Sequence, residues 1–270
     1  MNKTRIEWAD YTWNPVTGCL HGCSYCYASS QAARFSGYDP CYNASFDFED
    51  GCHTIKMAMK KRDATGIVRT APYPFGFEPT LHSYRLDEPA RKREGVTIFV
   101  CSMADLFGEW VPDEWIRQVL AACDKAPQHT YIFLTKNPSR YLTLANKGLL
   151  PERDNCWWGV TVTNQGDYNS KGVALLNLPI NCHTFFSIEP MHGPIEMGLM
   201  PDWIIIGAET GKHKNKTMPR REWIKNIVRQ IVDESVFMKD SIADIIGRDN
   251  ILRQLPEGIA LPTKGGKSYE

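Results

Sequence analysis

The chain has 270 residues, and with 43% of them hydrophobic it can bury a large core, which fits one large α/β domain better than several small ones. Lys plus Arg and Asp plus Glu both count 31, which excludes the global basic excess of many nucleic-acid binders and makes any nucleic-acid site local. No stretch reaches eighteen uninterrupted apolar residues, and MNKTRIEWADYTWNP lacks the apolar run of a signal peptide, so the expectation is a cytoplasmic, soluble protein with no membrane partner.

The first distinctive stretch is TGCLHGCSYCYA, residues 17–28, which holds Cys19, Cys23 and Cys26 and no fourth cysteine. Six more cysteines follow at 41, 52, 101, 123, 156 and 182. In a reducing compartment such a set suits metal ligands and buried thiols better than disulfides. Residues 36–90 scatter Gly, Pro, Asp and aromatics through GYDPCYNASFDFEDGC and APYPFGFEP, and read as an irregular insertion or cap on a single domain spanning 1–270. From about residue 96 short β-branched and aromatic runs predict strands. They are VTIFVCSMADLF (96–107), TYIFLTKNP (130–138), CWWGVTVTNQ (156–165), HTFFSIEP (183–190), DWIIIGAETG (202–211) and SVFMKDS (235–241). Between them, PDEWIRQVLAACDKA (112–126) puts Trp115, Val119, Leu120 and Cys123 on one helical face, and RREWIKNIVRQIVDE (220–234) repeats this with Trp223, Ile227 and Ile231. Nearly continuous apolar runs suit parallel strands buried on both faces, and their number predicts a partial or complete (β/α) barrel, with an open doubly wound sheet as the alternative. Residues 262–270 read as a flexible tail.

In either layout chemistry gathers at the C-terminal ends of the strands. The polar residues ending the runs are Ser102 and Asp105, Thr135 and Lys136, Thr161, Thr163 and Asn164, Ser187 and Glu189, Glu209 and Thr210, then Lys239 and Asp240. Each alone is as readily a turn residue or helix cap; together they mark one rim. Glu189 and Glu209, directly after apolar runs, are the most informative, because a carboxylate there sits at the mouth of the sheet rather than on a solvated helix face.

The cysteine spacing is C-x3-C-x2-C, with Gly18 and Gly22 preceding the first two. Glycines let the backbone wrap so that its N–H groups face thiolate sulfur. A structural zinc site wants four protein ligands; His21 lies inside the loop, where closing the same ring would be strained, so Cys41 or Cys52 with His53 would have to complete it. A [4Fe-4S] cluster on three cysteines instead leaves one iron open.

As Cys19-Leu-His-Gly-Cys23-Ser-Tyr-Cys26 the motif resembles the signature of the radical S-adenosylmethionine superfamily. That resemblance implies a barrel of radical SAM type, a [4Fe-4S] cluster on the three cysteines, S-adenosyl-L-methionine chelated by the open iron, and reductive cleavage to a 5′-deoxyadenosyl radical. More narrowly, TWNPVTGC, LHSYRLDEP, IFVCSMADLF, APQHTYIFLTKNP, WWGVTVTNQ, FFSIEP and WIIIGAETG are similar to a family of phage and bacterial three-cysteine radical-SAM-like proteins of unknown function. The Gly-Gly-Glu stretch of better characterised superfamily members is replaced here by CSMADLF. By position, Ser102, Thr161, Thr163 and Glu189 are then the expected cosubstrate contacts, and Tyr25, Lys136, Glu209 and Lys239 the expected catalytic groups.

Three segments are locally basic: KMAMKKRDATGIVR (56–69), ARKRE (90–94) and KHKNKTMPRRE (212–222). Cations beside aromatics such as Trp8, Trp13, Tyr25, Tyr27, Trp157 and Trp158 supply phosphate neutralisation and stacking platforms, although charge runs are commonly solvated faces and such aromatics commonly core. Asn164, His213 and Arg220 are the expected substrate contacts. With relatives in phages whose DNA carries modified thymines, the resemblance implies rearrangement of an amino-acid or amine adduct on a modified pyrimidine in phage DNA, driven by an electron donor such as flavodoxin or ferredoxin. The alternatives are DNA-lesion repair, modification of a peptide or free nucleotide, and a non-enzymatic nucleic-acid-binding module stabilised by metal.

Overall fold

The computed structural model describes residues 1–42, 45–151, 153–210 and 216–260; the tail reading at 262–270 lies outside them. Strands β1 (Asn2–Lys3), β2 (Tyr11–Trp13) and β3 (Val16–Thr17) precede β4 (Asp47–Glu49), β5 (Cys52–Ile55), β6 (Lys60–Arg62), β7 (Val68–Thr70) and β8 (Thr80–His82). Then come β9 (Thr97–Val100), β10 (Thr130–Thr135), β11 (Cys156–Thr161), β12 (His183–Ile188), β13 (Trp203–Ile206) and β14 (Ser235–Met238). The result is a mixed α/β chain whose largest sheet has the order β1-β2-β9-β10-β11-β12-β13-β14. All neighbours from β2 onward are parallel, and only β1 runs antiparallel to β2.

Helices Asp113–Asp124, Ser139–Asn146 and Arg221–Gln230 fill the connections after β9, β10 and β13. After β11 a helical stretch runs through Gln165–Asp167, Tyr168–Gly172 and Val173–Leu175, with a π-turn in its middle. The helix expected over 220–234 stops at Gln230, where Ile231 turns extended. The Glu234 carboxylate accepts from the Val232 and Asp233 N–H groups, which offers the backbone an alternative to another helical turn. Among the described residues no helix is long and apolar enough to cross a membrane.

Residues 36–90, expected to be irregular, supply five strands, β4 to β8, which with β3 form two small sheets: β3-β8-β5-β4 and the β6–β7 pair. Pairing of β8 with β3 ties this segment to the strand just before the cysteine loop.

The sheet's two faces carry different cores. On β13, Ile204 and Ile206 face the helices with Ile224 and Ile227, whereas Trp203 and Ile205 face a second cluster with Trp8, Ile132, Trp157, Phe185 and Phe237. Trp8 touches Phe99 of β9 at 5.0 Å and Trp203 of β13 at 5.9 Å between ring centroids. Strands that are not neighbours therefore meet on one indole, and the sheet is strongly curled. Arg253 pairs with both Glu7 and Asp240, and the Asp240 N–H donates to Glu7 Oε2 at 3.0 Å. This joins the segment between β1 and β2 to the end of β14, at opposite ends of the strand order.

Glycine makes room within the second cluster. A Cβ on Gly159 would lie 2.1 Å from the Phe185 ring. Replacing Gly159 with Ala should therefore destabilise the fold by about 1–3 kcal/mol, the usual cost of overpacking, with an unchanged m-value in urea; a variant as stable as the parent would contradict the packing described.

Candidate functional site

Side chains alternate between faces along a strand. Continuing the second cluster's face toward the C-terminal ends leads from Leu134 to Lys136, from Trp157 through Gly159 to Thr161, from Phe185 to Ser187 and Glu189, from Ile205 through Gly207 to Glu209, and from Phe237 to Lys239. All of these polar ends line one cavity of about 300 Å³. Its floor is apolar, with Trp8, Phe99 and Leu134, and Cys19, Cys23 and Cys26 line the same cavity. A wider cavity of about 860 Å³ shares Ile6, Tyr27, Ser102, Thr210 and Lys239 with it and extends past Lys3 and Arg5.

The cysteine loop is held by backbone contacts. Gly18 has φ +91°, and a Cβ there would lie 2.2 Å from the Glu78 carbonyl oxygen; Gly22 is also left-handed, at φ +64°. The Gly18 N–H donates to Met103 O at 2.9 Å, Cys19 N–H to Phe77 O at 3.1 Å, and Cys26 N–H to Cys23 O at 3.1 Å. Cys26 caps the helix Tyr27–Arg34, its sulfur accepting from Ser29 N–H at 3.4 Å. Burial pushes the Cys19 thiol up to about 11, with Asp105, Cys23 and Cys26 adding to the rise.

His21 anchors the loop from its middle. Its Nε2 donates to Asp105 Oδ2 at 2.7 Å, and its ring meets Trp110 edge-on at 4.9 Å. Asp105 is 5% exposed and also accepts from Thr135 Oγ1 at 2.7 Å, Lys136 N–H at 2.9 Å and Phe107 N–H at 3.1 Å. One buried carboxylate thus connects the cysteine loop to the ends of β9 and β10. Nearby, Asn14 Oδ1 accepts from Met103 N–H at 2.9 Å and from Ser102 Oγ at 3.2 Å.

One ion pair and one lysine–phenol hydrogen bond stand in the cavity. Lys239 is ion-paired with Glu189, and Gly207 leaves the space for that carboxylate, since a Cβ there would lie 3.0 Å from Glu189 Cδ. The Lys136 ammonium donates to the Tyr25 hydroxyl at 2.9 Å, and burial pushes the Tyr25 phenol well above its ordinary value. Glu209 Oε2 accepts from Thr217 N–H at 3.2 Å.

Ten of the residues expected as metal, cosubstrate or catalytic groups therefore line the cavity: the three cysteines, Tyr25, Ser102, Lys136, Thr161, Glu189, Glu209 and Lys239, together with the rim residues Asp105, Thr135, Ser187 and Thr210. Thr163 and Asn164 do not. Thr163 Oγ1 donates to Asp167 Oδ2 at 2.6 Å and Asn164 Oδ1 accepts from Asp167 N–H at 3.2 Å, so both serve the start of the next helix. Arg220 is exposed at the start of the helix Arg221–Gln230, its guanidinium 5.3 Å from the Trp223 ring centre, and His213 lies outside the described residues. The structural roles of His21, Asn14 and Asp105 had only a weak signal in sequence, namely polar residues beside WNP, in the cysteine motif and after an apolar run.

The donor chemistry of the cysteine loop suits an iron–sulfur group. None of the three cysteines is in a disulfide, and thiolates are soft donors suited to iron–sulfur centres. Among the described residues, no three His, Cys, Asp or Glu side chains converge closely enough to hold a single metal ion. Of the other donors named from the sequence, Cys52 Sγ donates to Trp110 O at 3.3 Å and His53 Nε2 to Glu78 Oε2 at 2.6 Å, while Cys41 is exposed.

Replacing His21 with Phe keeps the packing on Trp110 and removes the hydrogen bond to Asp105. Global stability should fall by only about 1–3 kcal/mol, while amide hydrogen exchange over residues 19–26 accelerates by more than the rest of the chain. Uniform exchange changes would contradict a loop anchored through this pair.

A family model described as "Protein of unknown function (DUF5131)" matches residues 3–239. No curated protein and no solved structure matches the chain. Because the family match runs from β1 to just past β14, the chain belongs to the family described as protein of unknown function, DUF5131.

Proposed function

We propose that the protein is a radical S-adenosylmethionine enzyme whose Cys19, Cys23 and Cys26 hold a [4Fe-4S] cluster, built on a partial (β/α) barrel, and that it acts on a modified pyrimidine in DNA. The observation that carries this reading is that three cysteines of one short loop share a cavity with the polar ends of five parallel strands. When bound, the cluster would supply the electron that cleaves a carbon–sulfur bond of S-adenosyl-L-methionine to give a 5′-deoxyadenosyl radical.

The chain's own residues supply orientation and shielding. An α-amino-acid head group carries one ammonium and one carboxylate, and the cavity offers the complementary couple in Glu189 and Lys239. Glu189 would accept from the ammonium and Lys239 would donate to the carboxylate, with Ser102 and Thr161 as neutral partners along the same wall. Trp8, Phe99 and Leu134 exclude water from the floor, which protects a reactive intermediate and strengthens polar contacts. Lys136 holds the Tyr25 hydroxyl beside the substrate space. The wider cavity past Lys3 and Arg5 is roomy and polar enough for a nucleotide, and the basic segment at 56–69 suits a DNA strand.

Two measurements test this. Reduced protein with S-adenosyl-L-methionine should release 5′-deoxyadenosine and change nucleoside masses in DNA bearing an amine- or amino-acid-substituted thymine, but not in plain DNA. Unchanged masses across a panel of such adducts would overturn the DNA substrate. Glu189→Gln should raise the cosubstrate KM by about 10- to 100-fold, the worth of one charge-assisted hydrogen bond; an unchanged KM would remove Glu189 from the cosubstrate site.

A further inference from the structure

The β6–β7 hairpin has no part in the cavity, yet it concentrates charge in a chain of zero net charge. Residues 60–70 contain Lys60, Lys61, Arg62 and Arg69 against a single acid, Asp63. In the ladder Lys61 stands directly opposite Arg69, an arrangement that destabilises a strand pair through like-charge repulsion.

The hairpin is nonetheless rigidly built. Its root is fixed by Met59 and Ala71, both buried in a small core with Ile55, Tyr38, Phe46 and Phe75, and by the Ala71 N–H donating to Met59 O at 2.8 Å. Its tip is locked by Asp63, whose carboxylate accepts from Thr65 N–H at 2.9 Å, Ile67 N–H at 3.0 Å and Arg69 Nε at 2.7 Å. Between root and tip, every residue from Ala64 to Thr70 is exposed, including Ile67 at 52% and Val68 at 40%. Lys61 Nζ donates to the carbonyls of Phe35 and Ser36, which docks the hairpin at the end of the helix that Cys26 caps. That eight-residue helix spans about 12 Å, and its first residue, Tyr27, lines both cavities.

A preformed two-stranded ribbon with cationic strands and an apolar tip has the dimensions to enter a B-form major groove, and apolar tips of this kind also wedge against base steps. The deep, narrow major groove of A-form RNA does not admit it. We infer that the β6–β7 hairpin is a contact element for duplex DNA, with Lys60, Arg62 and Arg69 on phosphates and Ile67 and Val68 against the bases. This rests on the reading of DNA as substrate. It adds the element that seats the duplex about one helix length from the reaction cavity, where a target base taken out of the stack can reach it.

The test is anisotropy of a labelled DNA duplex titrated with the full chain over a range of salt concentrations, with a DNA single strand and an RNA duplex of the same length in parallel. Replacing Lys60 and Arg62 together with Gln should weaken duplex binding on the order of tenfold at low salt and lower the slope of log affinity against log salt by about 0.9 for each cation removed. Ile67→Ser with Val68→Thr, at exposed positions that do not support the fold, should weaken binding about tenfold without changing the slope. Wild-type affinity and slope in both variants would overturn the hairpin's role while leaving the substrate reading intact. Equal or tighter binding of RNA or single strand would overturn its assignment to a DNA duplex. Failure of the wild-type chain to bind any DNA would overturn both.

Discussion

A strand's side chains alternate between two faces, and in this protein that period decides where the polar groups go. With Trp203 and Ile205 turned toward the second core, Glu209 at the end of the same run shares their face. The same step of two leads from Phe185 to Ser187 and Glu189, and from Phe237 to Lys239. Curling the sheet onto Trp8 then converts a row of strand ends into the wall of one cavity. Without Gly159 and Gly207 the curl would clash with the Phe185 ring and crowd the Glu189 carboxylate, so packing and site depend on the same small residues.

The cysteine loop reaches that cavity through a second constraint. A carboxylate as buried as Asp105 costs several kcal/mol unless its oxygens are satisfied, and it is satisfied by donors from β10, the loop after β9 and the cysteine motif itself. Each donor is therefore fixed relative to the others. The loop that carries three cysteines is registered to the sheet by a hydrogen bond from inside the motif, and Gly18 allows its backbone to pass against Glu78.

Much of this was legible in the sequence, for physical reasons that differ by region. The six strands from β9 to β14 are apolar on both faces and so stand out as runs, and the helix Asp113–Asp124 announces itself with Pro112 and two acids in its first turn. Strand β2 belongs to the same sheet but is only three residues long, too short for any period to show. The strands of 36–90 are similarly brief, and β8 finds its partner in β3, more than sixty residues away, a pairing no local pattern encodes. At the site, a polar residue after an apolar run can face the cavity or cap the following helix. Thr161 does the first; Thr163 and Asn164, two and three positions later, do the second. Only the curvature of the chain after β11 separates the two outcomes. The Asp105 network was hidden because its donors are spread from residue 21 to residue 136.

The central claim is that Cys19, Cys23 and Cys26 hold a four-iron cluster with one iron open to the cosubstrate. The most direct measurement is anaerobic reconstitution with iron and sulfide, followed by EPR of the reduced protein with and without S-adenosyl-L-methionine, for the wild type and for Cys23→Ala. The account predicts a [4Fe-4S]⁺ signal that shifts when the cosubstrate is added and is lost in the variant. Failure to assemble a cluster, with tightly held zinc in the purified protein instead, would contradict it and make the three cysteines part of a structural site.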